Sequence, residues 1–134
     1  MKKLRIGING FGRIGRTITR KLFERTDLEL VAINDLSDPS HNAHLLKYDS
    51  VHGPWKKNVK MNGANLAVDG AEVKVLNQRD PAEIPWAQLG VDIVFESTGV
   101  FTGYDGASKH LKGGAKKVII SAPCKDNDKI RPFV

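Results

Sequence analysis

Three closely spaced glycines near the start of the chain have a spacing that suits contact with a phosphate group. Residues 9–15 are Asn-Gly-Phe-Gly-Arg-Ile-Gly, so the pattern G-x-G-x-x-G falls on Gly10, Gly12 and Gly15. Between a strand and a helix, the first glycine permits a tight turn, the second lets a pyrophosphate approach the backbone, and the third lets the helix pack closely on the strand. The helix N-terminus would add unpaired N–H groups and partial positive charge. Such glycines also occur in purely structural turns, so the surrounding elements decide the interpretation.

An acidic residue follows at the distance that this pattern requires. Asp35 comes directly after a second apolar run, about twenty residues beyond Gly15. A carboxylate there accepts hydrogen bonds from the ribose hydroxyls of an adenosine and repels a 2′-phosphate. Leu36 supplies no positive charge to offset that repulsion. The two features together favour NAD over NADP, and the alternative interpretation of Asp35 is a solvated turn aspartate.

The elements around these features predict a βαβ unit. Residues 4–9 and 28–34 are short apolar runs typical of strands, and residues 14–23 carry apolar side chains at helical spacing. In such a unit the two strands should be parallel and the crossover between them right-handed. In such sheets the ligand lies at the carboxyl ends of the strands, where the strand order reverses. This placement puts the turn at residues 97–99 and Ser121 at the same edge of the sheet. Their spacing alone supports cofactor contact and a plain turn equally.

The rest of the chain completes an α/β pattern. Asp38-Pro39 predicts the start of a helix, and a further helix is expected from about residue 103 to residue 111. Alternating runs within residues 59–76, separated by Asn-Gly and Asp-Gly, predict a small antiparallel meander. Apolar runs at 91–96 and 118–120 predict two further parallel strands. We therefore predict an α/β fold, a Rossmann-type doubly wound parallel sheet with a small antiparallel insertion.

The composition excludes several other classes of protein. The chain has 134 residues, of which 40% are hydrophobic and 27% charged, as in soluble globular proteins. The sequence contains no apolar run near the roughly 18 residues of a membrane span, and glycines interrupt the basic start too early for a signal peptide. The lone Cys124 suits a reducing compartment, so we predict a cytoplasmic protein. The net charge of +6 comes from scattered basic residues without interleaved aromatic residues, so nucleic acid is not predicted as the primary partner.

Five segments, in order between about residues 4 and 124, resemble the signatures of bacterial-type glyceraldehyde-3-phosphate dehydrogenases. They are residues 8–16, 46–53, 79–86, 96–102 and 114–123. The glycine pattern and this resemblance together imply NAD contacts, with Arg13 and Ile14 facing the pyrophosphate through their backbone and Arg79 near the adenine. The full predicted set is Asn9, Gly10, Phe11, Gly12, Arg13, Ile14, Gly15, Asn34, Asp35, Arg79, Ser97, Thr98, Gly99, Phe101 and Ser121.

The resemblance implies the NAD-dependent oxidation and phosphorylation of glyceraldehyde 3-phosphate to 1,3-bisphosphoglycerate, by a cytoplasmic homotetramer of glycolysis. In that family a cysteine thiolate attacks the aldehyde, hydride passes to NAD, and inorganic phosphate cleaves the thioester. The family's Ser-Cys-Thr-Thr-Asn motif is not in this sequence, and Cys124 lacks its context. We therefore predict one dinucleotide-binding domain over residues 1–134, cut from a parent whose catalytic domain is absent here. We expect the chain to be inactive alone, and we assign no catalytic residue and no metal ligand.

Three alternatives stay open at this point. Erythrose-4-phosphate dehydrogenases share part of the signatures but tend to have Glu where this chain has Asp35. A non-catalytic module that binds NAD or RNA through the same groove is suggested by the net charge of +6. Another thiol-dependent aldehyde dehydrogenase is disfavoured by the signature at residues 48–53. The four histidines do not match the family's catalytic base, and we expect them on helix surfaces or at subunit contacts.

Overall fold

A computed structural model describes residues 3–48, 55–63, 65–98 and 108–120. Strands and helices alternate at first, an antiparallel meander follows, and the alternation then resumes. The elements are β1 Leu4–Asn9, α1 Arg13–Leu22, β2 Leu28–Asn34, α2 Pro39–Lys47, β3 Val59–Asn62, β4 Asn65–Val68, β5 Ala71–Leu76, a 3-10 helix Pro81–Glu83, α3 Trp86–Leu89, β6 Ile93–Glu96, α4 Lys109–Lys112 and β7 Lys117–Ile120.

All the strands just named belong to one sheet, in the order β3-β4-β5-β2-β1-β6-β7. Strands β5, β2, β1, β6 and β7 are parallel, whereas β3, β4 and β5 pair antiparallel. The chain leaves β1 toward β2 and later returns to the other side of β1 at β6, so the strand order reverses beside β1. The predicted α/β fold with a Rossmann-type sheet is confirmed. The antiparallel meander extends one edge of the sheet, and its last strand, β5, is also part of the parallel sheet.

Apolar side chains cover both faces of the sheet, as a doubly wound fold requires. On one face, Ile6 and Ile8 of β1 pack in a buried cluster that includes Leu46 of α2. On the other face, Val94 of β6 packs in a second cluster around Trp86. Full burial of one such large apolar side chain contributes roughly 1.5–3 kcal/mol. The two clusters fix the sheet between its helices, so the strand ends that carry the candidate site are rigidly held.

Two local predictions are confirmed in detail, and one boundary shifts. Asp38 caps α2, because its side chain accepts a hydrogen bond from the Ser40 N–H at 3.0 Å. Asp69 has a φ of 51° in the turn between β4 and β5, as its Asp-Gly sequence predicts. The strand predicted from residue 91 begins at Ile93. The strand begins later because the Asp92 side chain, and not a backbone carbonyl, accepts the Arg5 N–H at 3.0 Å.

The predicted helix over residues 103–111 is described only in part. Helix α4 covers Lys109–Lys112, and residues 101–107 lie outside the described residues. His110 was expected on a helix surface or at a subunit contact, and this expectation is wrong, because its side chain is 0% exposed within the chain itself. Its two ring nitrogens are held by buried hydrogen-bond partners, which compensate for the loss of hydration. Among the described residues, no helix is both long enough and apolar enough to span a membrane.

Candidate functional site

The ends of neighbouring parallel strands lie level with one another at one edge of the sheet. Asn9 at the end of β1 is paired in register with Asn34 on β2 and with Glu96 on β6. The glycine-rich turn leaves β1 at this edge and leads directly into α1. The carboxyl edge of the sheet therefore brings the turn together with the ends of β2 and β6, as the reversal of strand order predicts.

Two of the three pattern glycines are required by close packing. Gly10 has a φ of +94°, and a Cβ atom there would lie 2.8 Å from the Thr98 backbone nitrogen. A Cβ atom on Gly15 would collide with the Gly10 carbonyl oxygen. The glycine-rich turn, the start of α1 and the segment after β6 therefore pack together with no room for a side chain at Gly10 or Gly15. The predicted structural roles of Gly10 and Gly15 are confirmed.

The middle glycine has the opposite surroundings. Gly12 is exposed, and no described atom lies within 4 Å of the position that a Cβ would take. It is the N-cap residue of α1, and in this described helix no side chain caps that terminus. The first N–H groups of an α-helix have no partner within the helix. The residues here fit a diphosphate, because an anion finds free space, donors and the positive end of the helix together.

The residues between these glycines differ in whether their side chains are buried or exposed. Phe11 is only 2% exposed and packs in the core, so it borders the site through its main chain alone. Arg13 and Ile14 are exposed at the start of α1. This arrangement supports the prediction that these residues meet a pyrophosphate through the backbone.

Asp35 lies beside the glycine-rich turn and is held by donors from three sides. Its Oδ1 accepts the Phe11 N–H at 2.8 Å, and its Oδ2 accepts the Ser37 N–H at 3.0 Å and the Asn42 side-chain amide at 3.1 Å. Partial burial by itself raises the pKa of Asp35, but these hydrogen bonds outweigh it and hold the pKa below its usual value. Asp35 is therefore anionic and oriented, and it is only partly buried.

The side chains of Asn9 and Asn34 lie below the site and connect its parts. Both are nearly inaccessible, at 3% and 2% exposure. The Asn34 amide donates to Asn9 Oδ1 at 2.8 Å and to the Gln78 carbonyl at 2.9 Å, and it accepts the Gln78 N–H at 2.8 Å. These two asparagines were predicted as cofactor contacts, but their side chains are engaged with protein. Arg79, the next residue after Gln78, is exposed on the β5 side of the site.

The segment after β6 lies against the glycine-rich turn, as predicted. The Ser97 N–H donates to the Asn9 carbonyl at 2.9 Å, and its hydroxyl donates to the Gly10 carbonyl at 2.7 Å. Thr98 is exposed and packs beside Gly10. The remaining predicted contacts, Gly99, Phe101 and Ser121, lie outside the described residues, and so does Cys124.

Sequence reasoning missed a buried polar cluster directly below Thr98. Glu96 is 1% exposed, and its Oε1 accepts from the Asn9 amide at 2.8 Å and lies 2.6 Å from His110 Nε2. Its Oε2 accepts the Thr98 N–H at 3.0 Å and the Thr98 hydroxyl at 2.6 Å. The available signal was an acid at the end of an otherwise apolar strand. Within the described part of the chain, no three His, Cys, Asp or Glu side chains are grouped to hold a metal ion.

Comparisons with known proteins agree on one family. The family model described as "Glyceraldehyde 3-phosphate dehydrogenase, NAD binding domain" matches residues 4–104. The chain is 57% identical over 126 residues to the glyceraldehyde-3-phosphate dehydrogenase of Streptomyces coelicolor, covering 93% of this chain and 38% of that protein. The corresponding protein of Geobacillus stearothermophilus is 56% identical over 125 residues, covering 93% and 37%. Glyceraldehyde-3-phosphate dehydrogenase 1 of Trichormus variabilis is 52% identical over 134 residues, covering 100% and 39%. The chain thus spans well under half the length of these relatives.

Proposed function

The chain belongs to the family of glyceraldehyde-3-phosphate dehydrogenase NAD-binding domains, and we propose that it forms the cofactor site of an enzyme that oxidises and phosphorylates glyceraldehyde 3-phosphate. The observation that carries the proposal is the joint placement of two features. An open helix N-terminus at Gly12 lies beside Asp35, whose carboxylate is tied to the same turn through the Phe11 N–H at 2.8 Å. Phosphate and ribose groups of one dinucleotide require such neighbours.

In the proposed binding mode each end of the site has a separate task. The free N–H groups at the start of α1 bind the diphosphate, and Gly12 leaves room for it. Asp35 accepts the adenosine ribose hydroxyls and excludes a 2′-phosphate by charge repulsion. Arg79 faces the adenine end, and Ser97 and Thr98 border the cofactor beside the glycine-rich turn. We propose the whole predicted residue set as the cofactor site, with Asn9 and Asn34 acting from below it.

When bound, NAD supplies the hydride acceptor for the oxidation of the aldehyde. The described residues bind and orient the cofactor, and we assign none of them a proton transfer or a nucleophilic attack. The same proposal includes a cytoplasmic homotetramer of glycolysis. The assembly is what the sequence resemblance implies, and the single cysteine in 134 residues is consistent with a reducing compartment.

Calorimetric titration of the chain with NAD tests the proposal. We expect saturable binding that Asp35→Ala weakens at least about tenfold, because a lost charge-assisted hydrogen bond corresponds to about 1.5–3 kcal/mol. Gly12→Ala should also weaken binding, since its methyl group occupies the diphosphate approach without disturbing the fold. Glu29→Gln, which removes a carboxylate at the opposite edge of the sheet, serves as the control. Unchanged affinity in both site variants would refute the proposed binding mode.

A further inference from the structure

The dipeptide Asn-Gly occurs twice in the chain, once at the glycine-rich turn and once in the antiparallel meander. Asn9 ends β1 and Asn62 ends β3, and a glycine follows each of them. In this dipeptide the asparagine side chain can react with the backbone nitrogen of the next residue, because glycine has no side chain that hinders the approach. The reaction requires a side chain that can turn and a backbone N–H that is not engaged. The two copies differ in both respects.

The copy at the glycine-rich turn is locked by hydrogen bonds. The Asn9 amide donates to Glu96 Oε1 at 2.8 Å, and Asn9 Oδ1 accepts from the Asn34 amide at 2.8 Å. The Gly10 N–H donates to the Asn34 carbonyl at 2.8 Å. Asn9 is also only 3% exposed, so solvent has little access to it. Protein contacts therefore hold both reacting groups of this copy in place.

The copy in the meander lacks these restraints. Asn62 and Gly63 are both exposed, and no described atom lies within 4 Å of the position that a Cβ on Gly63 would take. Among the described residues the Asn62 amide reaches only Glu72 Oε2, at 3.3 Å, which is longer than the usual range of roughly 2.7–3.2 Å. The Gly63 N–H makes no hydrogen bond with any residue that the structure describes. Both reacting groups of this copy are therefore accessible and mobile.

We propose that Asn62 is a site of spontaneous covalent modification, at which the chain undergoes deamidation. The Gly63 nitrogen loses its proton to solvent and forms a bond to Asn62 Cγ. The bond from Cγ to Nδ2 breaks, and Nδ2 takes up a proton and leaves as ammonia. Water then opens the resulting succinimide at one of its two carbonyl groups and yields an aspartate or an isoaspartate. Water is the co-reactant, and no group is oxidised or reduced.

Either product disturbs the meander at the turn between β3 and β4. A carboxylate replaces the amide that faces Glu72, so a hydrogen bond becomes a repulsion between like charges. The isoaspartate also inserts its Cβ into the main chain, at the pair of Asn62 with Asn65 that closes the hairpin. We expect the modification to loosen β3 from β4 and to leave the carboxyl edge of the sheet unchanged.

Mass spectrometry of the ageing chain tests the proposal. The folded chain is kept at mildly alkaline pH, which favours loss of the amide proton, and is digested at intervals. We expect the mass change of an amide-to-acid conversion at Asn62 at least about tenfold faster than at Asn9. Fragment masses separate Asn62 from Asn65, whose side chain is held by hydrogen bonds with Glu72 and Val75 at 2.7 and 3.2 Å.

Unfolding and substitution supply two controls. In urea Asn9 and Asn62 should react at similar rates, because the contacts that hold Asn9 are lost. Asn62→Gln keeps an amide at the turn but requires a larger ring that closes more slowly. This variant should show no mass change at position 62, while the rate at Asn9 stays as it is in the parent chain.

The rates can also contradict the proposal. Equal or faster reaction at Asn9 in the folded chain overturns it. A rate at Asn62 that rises more than about tenfold in urea overturns it as well, because the folded turn would then protect the residue. Neither measurement uses NAD, so the result is independent of the proposed function.

Hydrogen exchange of the modified chain tests the expected consequence. Amides of β3 and β4 should exchange faster after deamidation, whereas β1 and β2 should keep their protection. Unchanged exchange in β3 would overturn the expected loosening. Faster exchange in all four strands would overturn its confinement to the meander.

Discussion

Asp35 and Glu96 occupy comparable places at the carboxyl edge of the sheet, yet their surroundings differ completely. Asp35 follows β2 and Glu96 ends β6, the two strands that flank β1. Each accepts a hydrogen bond from the segment that forms the glycine-rich turn, from Phe11 and Asn9 respectively. Asp35, just past its strand, is partly exposed, whereas Glu96, still within its strand, turns into the protein and is 1% exposed. The last strand position faces the protein interior, and the next position borders the proposed cofactor site.

The largest expected contrast between the two acids is in stability. Glu96→Ala should lower the free energy of unfolding by about 3–4 kcal/mol, because buried donors lose their acceptor at about 1–3 kcal/mol each and a cavity remains. Asp35→Ala should cost about 1 kcal/mol or less, since its donors can turn to water. Urea unfolding followed by fluorescence measures both. Equal losses would mean that the burial of Glu96 is not what separates the two residues.

The second contrast concerns cofactor choice. Asp35→Ala removes the charge that repels a 2′-phosphate, so the ratio of NADP to NAD affinity should rise at least about tenfold, or about 1.4 kcal/mol. Glu96→Gln should leave this ratio within about twofold, because Glu96 is 1% exposed and the variant leaves the Asp35 carboxylate in place. Parallel titrations with the two cofactors measure the ratio. A rise in Glu96→Gln that matches the rise in Asp35→Ala would remove the distinction between the two acids.

The pH dependence of Asp35 gives a smaller effect. Its pKa is lower in the folded chain than the unfolded value of about 3.9, so its contribution to stability is fully present above that value and is lost as the pH falls through the folded pKa. The difference in unfolding free energy between the parent and Asp35→Asn should therefore be constant from pH 7 to pH 5. It should shrink below about pH 4, by about 1 kcal/mol or less. A difference that already shrinks near pH 6 contradicts the lowered pKa.

The same comparison explains what the sequence could predict. Gly10, Gly12 and Asp35 were predicted because a turn, a helix start and a strand end set their roles within one βαβ unit. Glu96 and His110 were not predicted, because their hydrogen bonds join segments that are distant in the sequence. Asn9 and Glu96 are 87 residues apart, and Trp86 and His110 are 24 apart.

Local pattern can also mislead about burial. His110 lies between the partly exposed Lys109 and the exposed Leu111 of α4, so its neighbours predict a surface position. Gly7 within β1 falls outside the glycine pattern, yet a Cβ there would collide with the Trp86 ring. Both positions depend on which face of the sheet α3 and α4 cover, and that is decided only when the strands are ordered. The fold class and half of the site were therefore predictable, and the supporting cluster was not.

A third carboxylate gives the smallest expected effect and completes the comparison. Glu29, at the amino-terminal edge of the sheet, pairs with Arg5 at 2.7 Å, and the two side chains are 45% and 38% exposed. Exposed ion pairs contribute about 0–1 kcal/mol, so Glu29→Gln should lower the unfolding free energy by less than about 0.5 kcal/mol and leave NAD and AMP binding unchanged. Arg5 keeps its bonds to the Leu89 and Gly90 carbonyls, at 2.9 and 3.1 Å, which anchor it without Glu29. Stability measured at low and high salt checks this, because the loss should vanish when the pair is screened. A loss comparable to that of Glu96→Ala would show that removing any carboxylate from this sheet is costly, and position at the carboxyl edge would then explain nothing.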